Sequence, residues 1–154
     1  MTAAEASRTA AEGPPPRRPA PLLTDDNAFF WEAAIEGQLV AQRCHGCGRL
    51  RHPPRPMCPH CHSLEFEVAP LSGRGSLYSY AILYHPQHPA FDYPLIAALV
   101  DLEEGIRLVS NLSGVETADI EIGMELEVGF DPTENGSAVP VFRPVAVDEL
   151  GGAS

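Results

Sequence analysis

Apolar positions along this chain recur first at helical spacing and then in the alternation of strands. Phe30 and Ala34, followed by Trp31 and Ile35, lie four apart on adjoining stripes, and this spacing predicts one amphipathic helix from Leu22 to Gly37. Thr24 or Asp26 is placed to cap its amides, Asp25 and Asp26 suit the positive end of its dipole, and Gly37 supplies a left-handed stop. Phe29, Phe30 and Trp31 are consecutive aromatics, more than one helix face buries. The helix is therefore expected either to be sandwiched or to hold an aromatic ready for a partner chain.

Short alternating runs follow. Gln38–Arg43 and Leu64–Val68 read as strands, and five more are predicted at Ser76–Tyr84, Leu95–Leu102, Ile106–Leu112, Met124–Phe130 and Val139–Arg143. In the clearest, Met124, Leu126, Val128 and Phe130 alternate with Glu125, Glu127 and Gly129, one face inward and one in water. Glu103-Glu104-Gly105 makes the hairpin between the second and third of the five. The fold class is mainly β, and the second part, residues 71–147, is expected to be a small closed barrel of the five-stranded oligonucleotide/oligosaccharide-binding (OB) type, with a two-sheet sandwich as the alternative. Residues 1–21 contain PPPRRPAP and offer little to bury, so a disordered tail or linker is expected there, and a second polar tail at 148–154.

All four cysteines fall between the first two strands, in CHGCGRLRHPPRPMCPHC at 44–61. Two Cys-x-x-Cys turns facing each other bring four thiolates into the tetrahedron that Zn²⁺ accepts at about 2.3 Å. Cys44, Cys47, Cys58 and Cys61 therefore read as a zinc ribbon within a helix-and-ribbon unit at 22–70, with Gly48 closing the first knuckle and Pro59 inside the second. Two disulfides, a rubredoxin-like iron site and a Cys₃His site using His45, His60 or His62 are the alternatives. With four ligands no position is left for substrate, so the metal is expected to be structural. The histidines, His52 included, read as orienting or surface groups, and no catalytic residue is assigned.

Charge then narrows the partner classes. A formal charge of −11 argues against nucleic acid, and no apolar run approaches the roughly eighteen residues of a spanning helix. With no leader pattern at the N-terminus, a cytoplasmic protein is expected. All ten cations are arginine. Arg43, Arg49, Arg51 and Arg55 crowd the ribbon, which has no acidic residue from 43 to 61, while 101–134 holds ten carboxylates and only Arg107. A basic head on an acidic body suits an oriented protein contact or a ligand phosphate.

The order helix, CxxCG at 44–48, PPRxxCPxC at 53–61, LSGxGxLYSY at 71–80, acidic hairpin and IGMELEV at 122–128 resembles the acyl-CoA-associated OB-fold family with an N-terminal rubredoxin-like zinc ribbon, over residues 24–144. The resemblance implies a non-catalytic companion of a thiolase-superfamily enzyme, found as a separate chain or fused behind a MaoC-like hydratase. Members assist acyl-CoA condensation or cleavage in archaeal isoprenoid synthesis and in bacterial steroid degradation. The Ala/Pro/Arg-rich, lysine-free composition tilts the expectation toward the steroid branch, where the partner is a lipid-transfer-protein-like retro-aldolase acting on a steroid acyl-CoA. Acyl-CoA is then a ligand of the complex, and a dimeric partner implies two copies of each chain. A stand-alone acyl-CoA-binding module, a companion of a thiolase or HMG-CoA-synthase-type condensing enzyme and, more remotely, a nucleic-acid-binding OB protein are the other readings. Expected contacts with the partner or the acyl-CoA are Phe29, Phe30 and Trp31 on the helix; Arg43, Arg49, Arg51 and Arg55, which suit CoA phosphates; Tyr78 and Tyr80; and His85, His88 and Phe91 on the proline-stiffened loop Tyr84–Tyr93.

Overall fold

Helix α1 runs from Ala28 to Ile35, shorter than the spacing predicts, because Asn27 rather than Thr24 or Asp26 stands at its N-cap. The Asn27 side chain turns backward, accepting the Thr24 amide at 2.8 Å and donating to the Leu22 carbonyl at 3.1 Å. Such local bonds compete with helical ones and hold 22–27 as a turn. Leu22 and Leu23 are consequently exposed. The helix stops where expected, with the Gln38 amide donating to the Ala33 carbonyl at 2.9 Å around Gly37. The computed structural model describes residues 17–146, so the expected C-terminal tail and all but 17–21 of the N-terminal one lie outside the described residues.

Three antiparallel strands follow, β1 (Val40–Cys44), β2 (Leu50–Arg51) and β3 (Phe66–Pro70), in the order β2-β1-β3. β2, at two residues, is too short to announce itself by alternation. Its partner β1 carries Gln42 into the middle of the ribbon, wholly buried, where Oε1 accepts Arg51 Nε at 2.8 Å and the Arg55 amide at 2.9 Å.

The second part is a closed barrel, not a sandwich, with strand order β4-β5-β6-β8-β7 for β4 (Arg74–Leu83), β5 (Leu95–Leu102), β6 (Arg107–Leu112), β7 (Glu125–Pro132) and β8 (Ala138–Pro144). A single turn of 3₁₀-helix, Thr117–Asp119, lies between β6 and β7. Closure depends on β4 serving two neighbours: Arg74–Ser76 pair with β7, Gly75–Leu83 pair with β5, and a bulge between Leu77 and Ser79 bends the strand between these tasks. Gly75 sits at that junction, where a Cβ would run into the carbonyl oxygen of Asp101. Leu77, Val100, Leu126 and Phe142 fill the interior.

One apolar cluster continues from the barrel through Leu71 to Leu39, Val40, Ala41 and Phe30. Helix α1 packs on both β8 and β1, which makes it the wedge between ribbon and barrel. On β5, Ile96, Ala98, Val100 and Leu102 are buried and point inward, while Leu95, Ala97 and Leu99 are half-buried on the outside. Both faces of this strand are therefore apolar.

Candidate metal centre and its surroundings

The two knuckles are built alike. The Gly48 amide donates to the Cys44 carbonyl at 2.9 Å and the His62 amide to the Cys58 carbonyl at 3.0 Å. The residue closing each turn takes a positive φ, 71° at Gly48 and 60° at His62. Glycine announces the first knuckle; in the second a histidine adopts the same conformation. Gly46 lies under the facing sulfur, and a Cβ there would stand 2.9 Å from Cys61 Sγ.

The sulfurs of Cys44, Cys47, Cys58 and Cys61 all lie within 4.8 Å of one another. Cys44 and Cys61 are separated by 3.4 Å, Cys47 and Cys58 by 3.7 Å. A tetrahedron with metal–sulfur bonds of about 2.3 Å has edges of about 3.8 Å, so the residues present fit a zinc ion. Electrostatics point the same way. The Cys47 amide, followed by the Cys61 sulfur and the Gly46 amide, brings the Cys44 thiol down to about 6. At Cys61 the lowering effect of the Ser63 amide is overcome by the neighbouring sulfurs, which push it up to about 11. Four sulfurs this close do not ionise together without a cation between them. The histidines stand aside: His45 Nε2 lies 3.9 Å from Glu67 and His60 Nδ1 2.7 Å from Arg49 Nη1.

The arginines of the ribbon are less alike than their spacing suggests. Arg43 faces Glu67 across the β1–β3 register, 3.5 Å away. Arg51 is buried, bonded to Gln42 and lying over the Phe66 ring at 5.6 Å, so it holds the ribbon together from inside. Arg49 and Arg55 remain exposed, and among the described residues neither pairs with a carboxylate. The basic head is thus smaller than its sequence implies, because β3 folds Glu67 back against it.

Of the aromatic triplet, Phe29 packs on Phe66 at 5.3 Å, and Phe30 meets Trp31 edge-on at 4.9 Å and the His52 ring at 5.1 Å. All three have partners within the chain. Trp31 nevertheless keeps a buried indole N–H with no acceptor among the described residues. It lines a crevice of about 360 Å³ between helix, ribbon and barrel, shared with Phe30, His52, Val109, Asn111 and Pro140. Burial there pushes His52 down to about 4, so its ring is neutral at neutral pH.

Tyr78 lies under the Arg107 guanidinium at 3.4 Å, which in turn pairs with Asp101. Tyr80 lines a shallow apolar depression of about 310 Å³ with Ala97, Leu99 and Val109. In the loop, His88 is tied in by its amide to Tyr93 Oη at 2.9 Å and by its ring, whose Nδ1 accepts the Ala90 amide at 3.1 Å. Phe91 carries Arg18 over its ring at 5.0 Å, and His85 is exposed. The structure therefore groups Trp31 with the β6 exterior, keeps Tyr78 and Tyr80 on the neighbouring wall and sets the ribbon arginines apart from both. Val109 and Leu99 escaped the sequence reading, since an exposed valine in an apolar strand looks like core. Among the described residues no helix is long and apolar enough to cross a membrane.

Two family profiles match the chain in tandem: "ChsH2, rubredoxin-like zinc ribbon domain" over residues 31–67 and "ChsH2, C-terminal OB-fold domain" over 68–131. A probable enoyl-CoA hydratase alpha subunit of Thermomonospora curvata is 47% identical over 132 residues, 86% of this chain. The 3-oxo-4,17-pregnadiene-20-carboxyl-CoA hydratase alpha subunit of Mycobacterium tuberculosis is 36% identical over 110 residues, 71% of this chain. The chain spans 41% and 35% of those two relatives. The benzoylsuccinyl-CoA thiolase subunit BbsA of Thauera aromatica is 34% identical over 79% of this chain and 86% of its own length. Among solved structures, a chain of the Ltp2-ChsH2(DUF35) aldolase superposes with a TM-score of 0.78 at 46% identity, over 82% of this chain and 100% of that one.

Proposed function

Because this chain belongs to the zinc-ribbon and OB-fold family of ChsH2 (DUF35), we propose that it is the non-catalytic scaffold subunit of a thiolase-like enzyme. The observation that carries this is the correspondence in fold, at 46% identity and over 82% of this chain, with a whole chain of the Ltp2-ChsH2(DUF35) aldolase. The chemistry of the chain agrees. Its four cysteines converge on one point, which commits its strongest nucleophiles to a metal. Cys44, Cys47, Cys58 and Cys61 would hold zinc as a closed structural cross-link. What the chain contributes is a rigid body: knuckles clasped together, Arg51 and Gln42 locking the strands between them, and helix α1 wedged against the barrel.

The reaction we assign to the complex is aldol cleavage of a steroid side-chain acyl-CoA. It is supported by the aldolase complex and by the pregnadiene-carboxyl-CoA relative. A thiolase as partner is the second reading, favoured by BbsA, which this chain matches over most of its length. A MaoC-like hydratase as further partner fits the two hydratase subunits, of which this chain resembles a part. Two copies of each chain would follow from a dimeric catalyst.

Co-expression with Ltp2 tests the proposal. The expected outcome is a zinc-containing complex on size exclusion that cleaves a steroid β-hydroxyacyl-CoA, with no turnover by this chain alone. Turnover by the isolated chain, or failure to associate, overturns it.

A further inference from the structure

Resting on the reading that the partner is a thiolase-like subunit, we propose that this subunit docks on one continuous apolar tract formed by the outer face of β4–β6 and the crevice beside it, with Trp31 as the anchor. Side chains on the exterior of a small barrel ordinarily alternate with the interior ones as polar with apolar. On this wall they do not. Ser79, Leu99 and Val109 form one cross-strand row, and Ala81, Ala97 and Asn111 form the next. The small side chains of the second row form the floor of the depression, while Leu99 and Val109 form a ridge. Val109 is 72% exposed, a β-branched hydrocarbon held in water at the middle of the surface.

Val109 also lines the crevice, so the ridge joins two hollows into one surface. At the far end waits the Trp31 N–H, already desolvated and without an acceptor among the described residues. A tryptophan at the edge of a pocket is the residue type that dominates interface energies. A partner that inserts an apolar side chain beside Val109 covers both hollows and packs against the Trp31 ring.

Charge selects among occupants. The one carboxylate on the three strands, Asp101, is neutralised by Arg107 at the edge of the tract, whereas the body around it is strongly acidic. A second copy would bring −11 against −11, and like net charge opposes association. The surface instead fits a different protein whose contact face is apolar at its centre and basic at its rim.

The experiment measures binding of the zinc-loaded full chain to Ltp2. Val109→Asp, at an exposed position, is expected to weaken binding by about tenfold or more, and Trp31→Phe, which shrinks the ring lining the crevice, by about three- to tenfold. Glu127→Gln, on β7 and outside the tract, leaves affinity unchanged. Zinc content of all three, and the unfolding midpoint of Val109→Asp and Glu127→Gln, should match the parent, and association of the parent should slow as salt rises. If the parent does not bind Ltp2, the scaffold reading itself falls. If the parent binds and Val109→Asp binds as tightly, the scaffold reading stands and the tract is overturned as its docking site. A dimer of the isolated chain that Val109→Asp dissolves also overturns the proposal, by making a second copy the occupant.

Discussion

In the ribbon, the space between the strands is filled by an amide, a guanidinium and four sulfurs; in the barrel it is filled by Leu77, Val100, Leu126 and Phe142. The barrel is closed by pairing all round, while the ribbon's three short strands bury only Val40, Ala41, Gln42, Cys44, Arg51 and Ala69. A unit with so little apolar interior draws its stability from metal–ligand bonds, and one with a packed interior draws it from hydrocarbon burial. The contrast teaches which perturbation each region notices.

Metal removal should separate them most. Structural zinc in small domains is worth about 10–16 kcal/mol of apparent binding, so chelation or Cys58→Ser is expected to abolish amide protection across β1–β3 while β5 and β6 stay protected in hydrogen exchange. Loss of protection in both would mean that the wedge of helix α1 couples them into one cooperative unit. The converse perturbation is Phe142→Ala, which empties the barrel interior and should cost about 3–5 kcal/mol in denaturant unfolding with zinc content unchanged. Gly75→Ala should cost about 1–3 kcal/mol, since the new methyl meets the Asp101 carbonyl and the β4 junction has to spread. Gln42→Ala, which strands Arg51 Nε and the Arg55 amide, should cost about as much on the ribbon side, about 1–3 kcal/mol.

Acid distinguishes the junction between the two regions from both. His52 is held neutral by burial, with a folded value of about 4, so between that value and the ordinary one near 6.5 the unfolded chain binds the proton more readily than the folded chain. Its contribution is intact above about pH 6.5 and declines as pH falls toward 4, by about 3 kcal/mol in all. Unfolding free energy measured against pH should show this slope in the parent and lose it in His52→Gln.

How much of this was legible follows from where the information sits. The four cysteines were readable because their spacing is local, and β5 was bounded at Leu95 and Leu102 because turns punctuate both ends. The helix start was not, because the capping potential of Thr24 and Asp26 is evident in one dimension and the backward reach of Asn27 only in three. Arg51 looked like surface charge; only the register of β1 with β2 places it beside Gln42. The apolar exterior was hidden for a different reason. LIAALVDL carries hydrocarbon at both parities, so it holds no period-2 signal to say that half of it faces outward. The crevice draws its walls from five separate stretches around Arg18, Trp31, His52, Val109 and Pro140, and no local pattern announces a surface assembled that way.

The register of the two sheets also orders events in time. Every pairing in the ribbon joins residues between Val40 and Pro70, whereas the barrel closes only when Arg74–Ser76 on β4 find Glu125–Glu127, about fifty residues further along. A polypeptide leaving the ribosome can therefore grip its ion and set both knuckles while the strand that will seal the neighbouring barrel is still unmade.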